Sequence, residues 1–215
     1  MRKLILKMSV SIDGFVSGLN GEIDWIFKSF DKDAIAWTVE TLWQAGVHIM
    51  GSRTYQDMAA YWPSSTEPFA APMNEIPKVV FSRKGFIKAP DEKLTTTAFK
   101  DASRFNNRDS FIFSGAKSTL EASWANPKVL GGNLVADITQ LKEEPGKDIL
   151  AHGGAGFVQS LAKFNLIDEY RLMIHPVVLG TGLPLFSAVT KPFDLKLNSS
   201  VTFSSGIIAN IYQIN

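Results

Sequence analysis

The chain has 215 residues, 45% apolar, 20% charged and 11% aromatic, with 22 basic against 21 acidic side chains and a formal net charge of +1. That length suits one large domain or two small ones and buries roughly 70% of the unfolded chain's surface, so the core depends on neither disulfides nor a structural metal. There is no Cys, and the three His, at positions 48, 152 and 175, lack zinc-site spacing, so no metal centre is expected. The balanced charge forms no basic stripe to neutralise phosphates, which excludes a dedicated nucleic-acid binder. Lys3 and Lys7 interrupt the first apolar run and no stretch reaches the roughly 18 apolar residues of a membrane span, so no membrane partner is expected and the sequence reads as a soluble, cytoplasmic protein.

Leu4, Leu6, Met8 and Val10 alternate with Ile5, Lys7 and Ser9, which predicts a first strand ending at an Asp13-Gly14 turn. From Asp31 to Gly46, Ile35, Val39, Leu42 and Trp43 recur at helical spacing, with Gly46 at the C-cap position. A strand over Val47 to Met50 follows directly, and Gly51 ends it. Thr54 to Ala60 reads as a helix closed by Trp62-Pro63, and Pro68, Pro72 and Pro77 space a loop. Lys78 to Ser82 and Asp148 to Ala151 are short buried-type strands, the second fed by a helix with Leu134, Ile138 and Leu141 that Pro145-Gly146 stops. Gly153-Gly154-Ala155-Gly156 then opens a helix with Phe157, Val158, Leu161 and Ala162 on its apolar face. After Asp168-Glu169 come long β runs, 170–179, 193–203 and 207–214, the last two joined at Ser204-Ser205-Gly206. This grammar predicts an α/β fold: a mostly parallel central sheet with antiparallel C-terminal strands and helices on both faces. No composition break divides the chain, so 1–215 reads as a single domain.

Three clusters fall at strand ends. At Gly153 to Gly156, free backbone N–H groups at a helix start suit a pyrophosphate, although a tight turn that needs glycine for backbone room gives the same sequence. In Gly51-Ser52-Arg53-Thr54, Gly permits close approach, Thr54 caps the helix or binds phosphate, and Arg53 pairs with anionic oxygens, or the segment is an ordinary capped helix. Ser82-Arg83-Lys84 follows another buried strand. All three lie at the carboxyl edge of the sheet, where open α/β sheets bind ligands, and the positive charges would suit the 2′-phosphate of NADPH rather than NADH. Asp13 is either the acid nearest the reacting atoms or a turn former. His152 either donates a proton or simply hydrogen-bonds in its turn. Trp25, Tyr55 and Phe157 stack on flat rings or fill the core, and His48 and His175 read as strand residues without function.

Lys7 to Gly14 (KMSVSIDG), Gly21 to Trp25 (GEIDW), Met50 to Tyr55 (MGSRTY), Lys78 to Arg83, Gly153 to Phe157 and the run from Leu166 to Gly182 together resemble the dihydrofolate reductase-like reductases. The resemblance is greatest to the reductase domain of bacterial riboflavin-biosynthesis deaminase-reductases. It implies a dihydrofolate reductase-like fold, NADPH, a small-molecule substrate and a homodimer. It assigns Gly18, Gly21, Trp25, Gly51, Ser52, Arg53, Thr54, Ser82, Arg83, Lys84 and Gly153 through Phe157 to the cofactor. Asp13, Trp25, Tyr55 and His152 fall to the substrate, with Asp13 and His152 as the catalytic pair. The implied activity is NADPH-dependent reduction of a planar heterocycle or a related C=N or C=O group. The alternatives are an NADPH-binding module without turnover and the authentic 5-amino-6-(5-phosphoribosylamino)uracil reductase. Several departures touch the substrate side. His152 stands where the riboflavin enzymes have Glu, Gln56 to Pro63 replaces their Asp-Asp-Pro segment, Phe30 falls near the place of the dihydrofolate reductase helix acid, and 85–118 reads as an insertion. On the cofactor side, Ser52 stands where dihydrofolate reductases have Arg.

Overall fold

The computed structural model describes residues 1–84 and 122–215, so the expected insertion at 85–118 lies outside the described residues. The alternation of the first segment sets up the fold. In β1 (Leu4–Ser11), Leu4, Leu6 and Val10 enter one buried cluster while Ile5 enters another on the opposite face. Parallel neighbours flank β1: β6 (Asp148–Ala151) on one side and β7 (Glu169–His175) on the other. Beyond β6 the sheet continues in parallel through β3 (Ala45–Gly51), β4 (Lys78–Phe81) and β5 (Lys128–Leu130). Beyond β7 it continues antiparallel through β10 (Ile208–Ile214) and β9 (Leu195–Thr202), giving the eight-stranded order β5-β4-β3-β6-β1-β7-β10-β9. A second, two-stranded sheet pairs β2 (Phe15–Ser17) with β8 (Leu183–Pro184).

Helices cover both faces. Against Leu4, Leu6, Ile49, Ile149 and Tyr170 lie Ile138 and Leu141 of α6 (Leu134–Glu143) and Val158 and Leu161 of α7 (Ala155–Lys163). On the other face α3 (Ser52–Tyr61) and α4 (Ala70–Glu75) cover Ile5, Met50, Val80 and Leu150, joined by Trp124 of α5 (Ala122–Ala125). Ala34 of α2 (Lys32–Trp43) packs with Met173, Phe203, Ile207 and Ala209. Asp31 caps α2 by accepting the Ala34 N–H at 2.8 Å, and its other oxygen accepts from the Ser204 hydroxyl and the Ser205 N–H, tying the last hairpin to the helix.

Four local expectations change. Gly46 is not a cap: α2 ends at Gln44 in ordinary helical geometry, and Gly46 lies inside β3 against the Lys147 backbone. The buried side of α2 is Ala34, Thr38, Thr41 and Leu42, while Trp43 is exposed. Thr38 is tolerated there because its hydroxyl bonds the Ala34 carbonyl. The proline-spaced loop contains α4, whose buried Asn74 donates to the Trp62 carbonyl and accepts from the Trp124 indole at 2.7 Å. Finally, α3 starts at Ser52 with Gly51 as its N-cap, so Thr54 sits inside the first turn and caps nothing.

Candidate active site

Strands β3 and β6 are neighbours, and each runs at its carboxyl end into a helix. Those helices leave toward opposite faces, α3 into one core cluster and α7 into the other, which opens a crevice between their N-termini. Neither terminus has a side-chain cap, so its first N–H groups remain available to an anion. The two turns touch. Gly154 has φ +92°, and a Cβ there would stand 2.5 Å from the Thr54 hydroxyl, while a Cβ on Gly51 would stand 3.4 Å from Phe157. Gly156, one residue into α7, faces open space with nothing within 4 Å of where its Cβ would be. Phe157 stacks on Phe81 at 5.1 Å, closing the crevice toward β4. Arg53 is exposed at the start of α3, and Arg83 and Lys84 are exposed just past β4, beyond a buried Ser82. Three expected clusters thus share one edge, and their donors, charges and open space at Gly156 fit a dinucleotide with an extra phosphate.

Other expected residues have different tasks. Gly18 and Gly21 shape a closed turn after β2, in which the Gly18 N–H bonds the Glu22 carbonyl at 2.9 Å and the Gly21 N–H bonds the Gly18 carbonyl at 3.1 Å. The Asp13 carboxylate accepts from the Leu179 and Gly180 N–H groups, the latter at 2.7 Å, latching the β1–β2 turn to the 176–182 loop. The Ser11 hydroxyl and those amides hold Asp13 below the usual carboxylate range. An acid held ionised carries no proton to give at neutral pH, so the role of proton donor moves away from Asp13. Tyr55 is 3% exposed, its hydroxyl bonds the Trp124 carbonyl and its ring tilts against Trp124, which places it in the core instead of against a substrate. Trp25, in the short helix α1 (Asp24–Lys28), is 6% exposed and meets His175 edge-on at 5.3 Å.

The sheet face beneath α2 and α3 holds what the sequence concealed. The register pairs Ile5 with Leu150 and Leu150 with His48, so Lys7, His48 and His152 follow on the same side. The His48 and His152 rings meet edge-on at 4.4 Å, and both are buried. His175, at the end of β7, bonds the Ser29 hydroxyl at 2.7 Å and lies against Phe30 and Trp25. The Lys7 ammonium lies over the Phe30 ring, 5.9 Å from its centre. Burial is the main cause of every shift here. It pushes Lys7 down to about 8 and Lys78 down to about 7. His152 and His175 fall to about 3, with the Lys7 charge adding to the effect, and His48 falls well below its ordinary value despite a weak opposing pull from the Leu42 backbone. At neutral pH the three imidazoles are therefore neutral and the ammonium of Lys7 holds a loosely bound proton. Lys7 was hidden because a lysine in an alternating strand looks like a solvated position, and only its place beneath Phe30 shows otherwise.

The model of the RibD C-terminal domain family matches residues 2–209. The chain belongs to that family. It is 31% identical over 214 residues to the uncharacterized protein YyaP of Bacillus subtilis, covering 100% of this chain and 96% of that one. Among solved structures it resembles a Shewanella sp. PV-4 protein provisionally named for riboflavin biosynthesis, at TM-score 0.64 and 19% identity over 100% of this chain and 99% of the other. It also resembles the dihydrofolate reductase of Enterococcus faecalis, solved in complex with NADP(H) and RAB-propyl, at TM-score 0.55 and 11% identity over 99% and 96% of the two chains. These likenesses agree with the mixed sheet and two-sided helices above: the fold is dihydrofolate reductase-like. Among the described residues no helix is long and apolar enough to cross a membrane.

Proposed function

We propose that the protein is an NADPH-dependent reductase of a small planar heterocycle or a related C=N or C=O compound. The observation that carries this reading is the crevice between the N-termini of α3 and α7, two uncapped helix starts in contact at the carboxyl edge of the sheet, with Arg53, Arg83 and Lys84 beside them. Gly51, Ser52, Thr54 and the turn from Gly153 to Phe157 would hold the diphosphate, and the three cations would hold the 2′-phosphate.

A bound dihydronicotinamide supplies a hydride to an electrophilic carbon of the substrate. The chain's own residues fix position, exclude water and supply the proton. Lys7 is the proton donor of this scheme, since an acid near neutrality gives up a proton readily at working pH and recovers it from solvent. His152, held neutral, positions the substrate with its ring nitrogen, and Asp13 holds the 176–182 loop in place. The test is consumption of NADPH, followed by its near-ultraviolet absorbance, against pterins, oxidised pyrimidines and quinones. Turnover with one class that Lys7→Met slows at least a hundredfold, with cofactor affinity unchanged, supports the reading. NADPH binding with no turnover on any class would favour a cofactor-binding module instead.

A further inference from the structure

The basic face of the site is short of negative charge. Lys7 forms no ion pair among the described residues, its ammonium meeting only the face of Phe30. Around it are buried polar atoms without hydrogen-bond partners among the described residues: the Trp25 indole N–H, His152 Nε2 and His175 Nε2. An indole N–H and an ammonium can only donate, and a neutral imidazole can donate from one nitrogen. The charges that act on His152 and His175 are those of lysines, with Lys78 as the second ammonium on this face. Among the described residues no carboxylate acts on any of them. The acids of the covering elements are engaged elsewhere or exposed: Asp31 caps α2 and holds Ser204 and Ser205, Asp24 pairs with Lys28, Asp57 of α3 is acted on by Arg53, Glu169 of β7 is bound to Arg171, and Asp33, Glu40 and Glu75 are exposed.

A half-buried cation without a counter-ion, a buried indole N–H without an acceptor and buried imidazole nitrogens without partners are costly unless a ligand supplies the missing groups. We infer that the substrate turns a negatively charged or carbonyl-rich edge toward Lys7, His152 and Trp25, and that the site disfavours bases with a donor edge. The inference rests on the reductase reading for the identity of the site and adds the chemical class of its substrate: a planar acid or an oxo compound that can form an enolate. A site meant for a protonated or amino-edged heterocycle would place a carboxylate where this chain has His152.

The test uses two flat probes of similar size, uracil-6-carboxylate and 2,4-diaminopyrimidine, titrated by calorimetry into the full chain with saturating NADPH and again without it. The carboxylate is expected to bind at least tenfold more tightly than the base. Lys7→Met should remove that preference, and His152→Glu should reverse it. If His152→Glu does not fold, His152→Gln serves, with the preference for the carboxylate reduced but not reversed. Equal or tighter binding of the base, an unchanged preference in Lys7→Met, or no binding of either probe overturns the inference. Absence of NADPH binding in the same samples would instead sink the reductase reading, while the cofactor-free titration still decides the charge class.

Discussion

Gly154 and Gly156 sit two residues apart in one turn, yet the structure assigns them opposite sensitivities. At Gly154 an alanine would have to adopt φ +92°, which costs about 1 to 2 kcal/mol for a residue with a Cβ. Its methyl would also fall 2.5 Å from the Thr54 hydroxyl, so Thr54 must turn or α3 must move, at a further cost on the order of 1 to 3 kcal/mol for overpacking. For a chain of this size each kcal/mol lowers the melting temperature by about 2 to 4 °C. Gly154→Ala should therefore melt roughly 5 to 15 °C below the wild type, and Gly154→Val lower still, so cofactor loss in either variant would say nothing about a phosphate site. Gly156→Ala is the clean probe. Its methyl meets nothing within 4 Å, and replacing glycine by alanine in a helix is neutral to favourable by up to about 1 kcal/mol. A phosphate held at this helix start would meet that methyl in the open space beside Gly156, so NADPH should bind at least tenfold more weakly, about 1.4 kcal/mol. Thermal melts and calorimetric titration of both variants suffice. A Gly156→Ala protein that melts normally and binds NADPH like the wild type would show that no phosphate sits at this turn. A Gly154→Ala protein with unchanged melting would refute the geometric argument.

Stability should fall as the solution is acidified from pH 7 to 5. The folded forms of His48, His152 and His175 resist protonation while the unfolded chain takes up protons through the ordinary histidine range near 6.5, so each costs about 1 to 2 kcal/mol over that interval. Chemical denaturation at several pH values checks this, and a flat profile contradicts the buried-imidazole account. Asp13→Asn keeps one oxygen for the Leu179 and Gly180 amides and should retain most of any reductase activity, whereas a hundredfold loss of turnover with normal NADPH binding would return Asp13 to the role of acid. The edge strand β9 leaves Leu197 exposed on the face it shares with exposed Ile208 of β10, and a homodimer through this surface is expected in sedimentation, which Leu197→Glu should weaken. A monomer at micromolar concentration would end that proposal.

The framework was legible because strands with one covered face announce themselves by period: Leu4, Leu6 and Val10, or Ile149 and Ala151, could face only a core. The hairpin at Ser204 to Gly206 was equally plain from its turn residues, and the strand-end glycines marked the crevice. Signals failed where the third dimension decides. The Gly at 46 resembled a helix cap, but α2 passes straight into β3 without a left-handed residue. Of the stripe Ile35, Val39, Leu42 and Trp43 only Leu42 is buried, and close packing against Met173 selects Ala34 and Thr38 beside it. The substrate side was the least readable. Lys7, His48 and His175 lie on three strands and His152 directly follows a fourth, all far apart in sequence, and their meeting depends on the strand order. Tyr55 looks like a ring-stacking residue in the chain and proves to be core packing.

Whether the crevice holds NADPH and prefers it through its 2′-phosphate is decided by titrating the purified protein with NADPH and with NADH at one moderate salt concentration, followed by nicotinamide fluorescence. Saturable binding is expected, with NADPH at least tenfold tighter, and the preference should be lost in an Arg53→Ala, Arg83→Ala, Lys84→Ala triple variant that still folds. Equal dissociation constants for the two cofactors, or no saturable binding of either, would contradict the assignment.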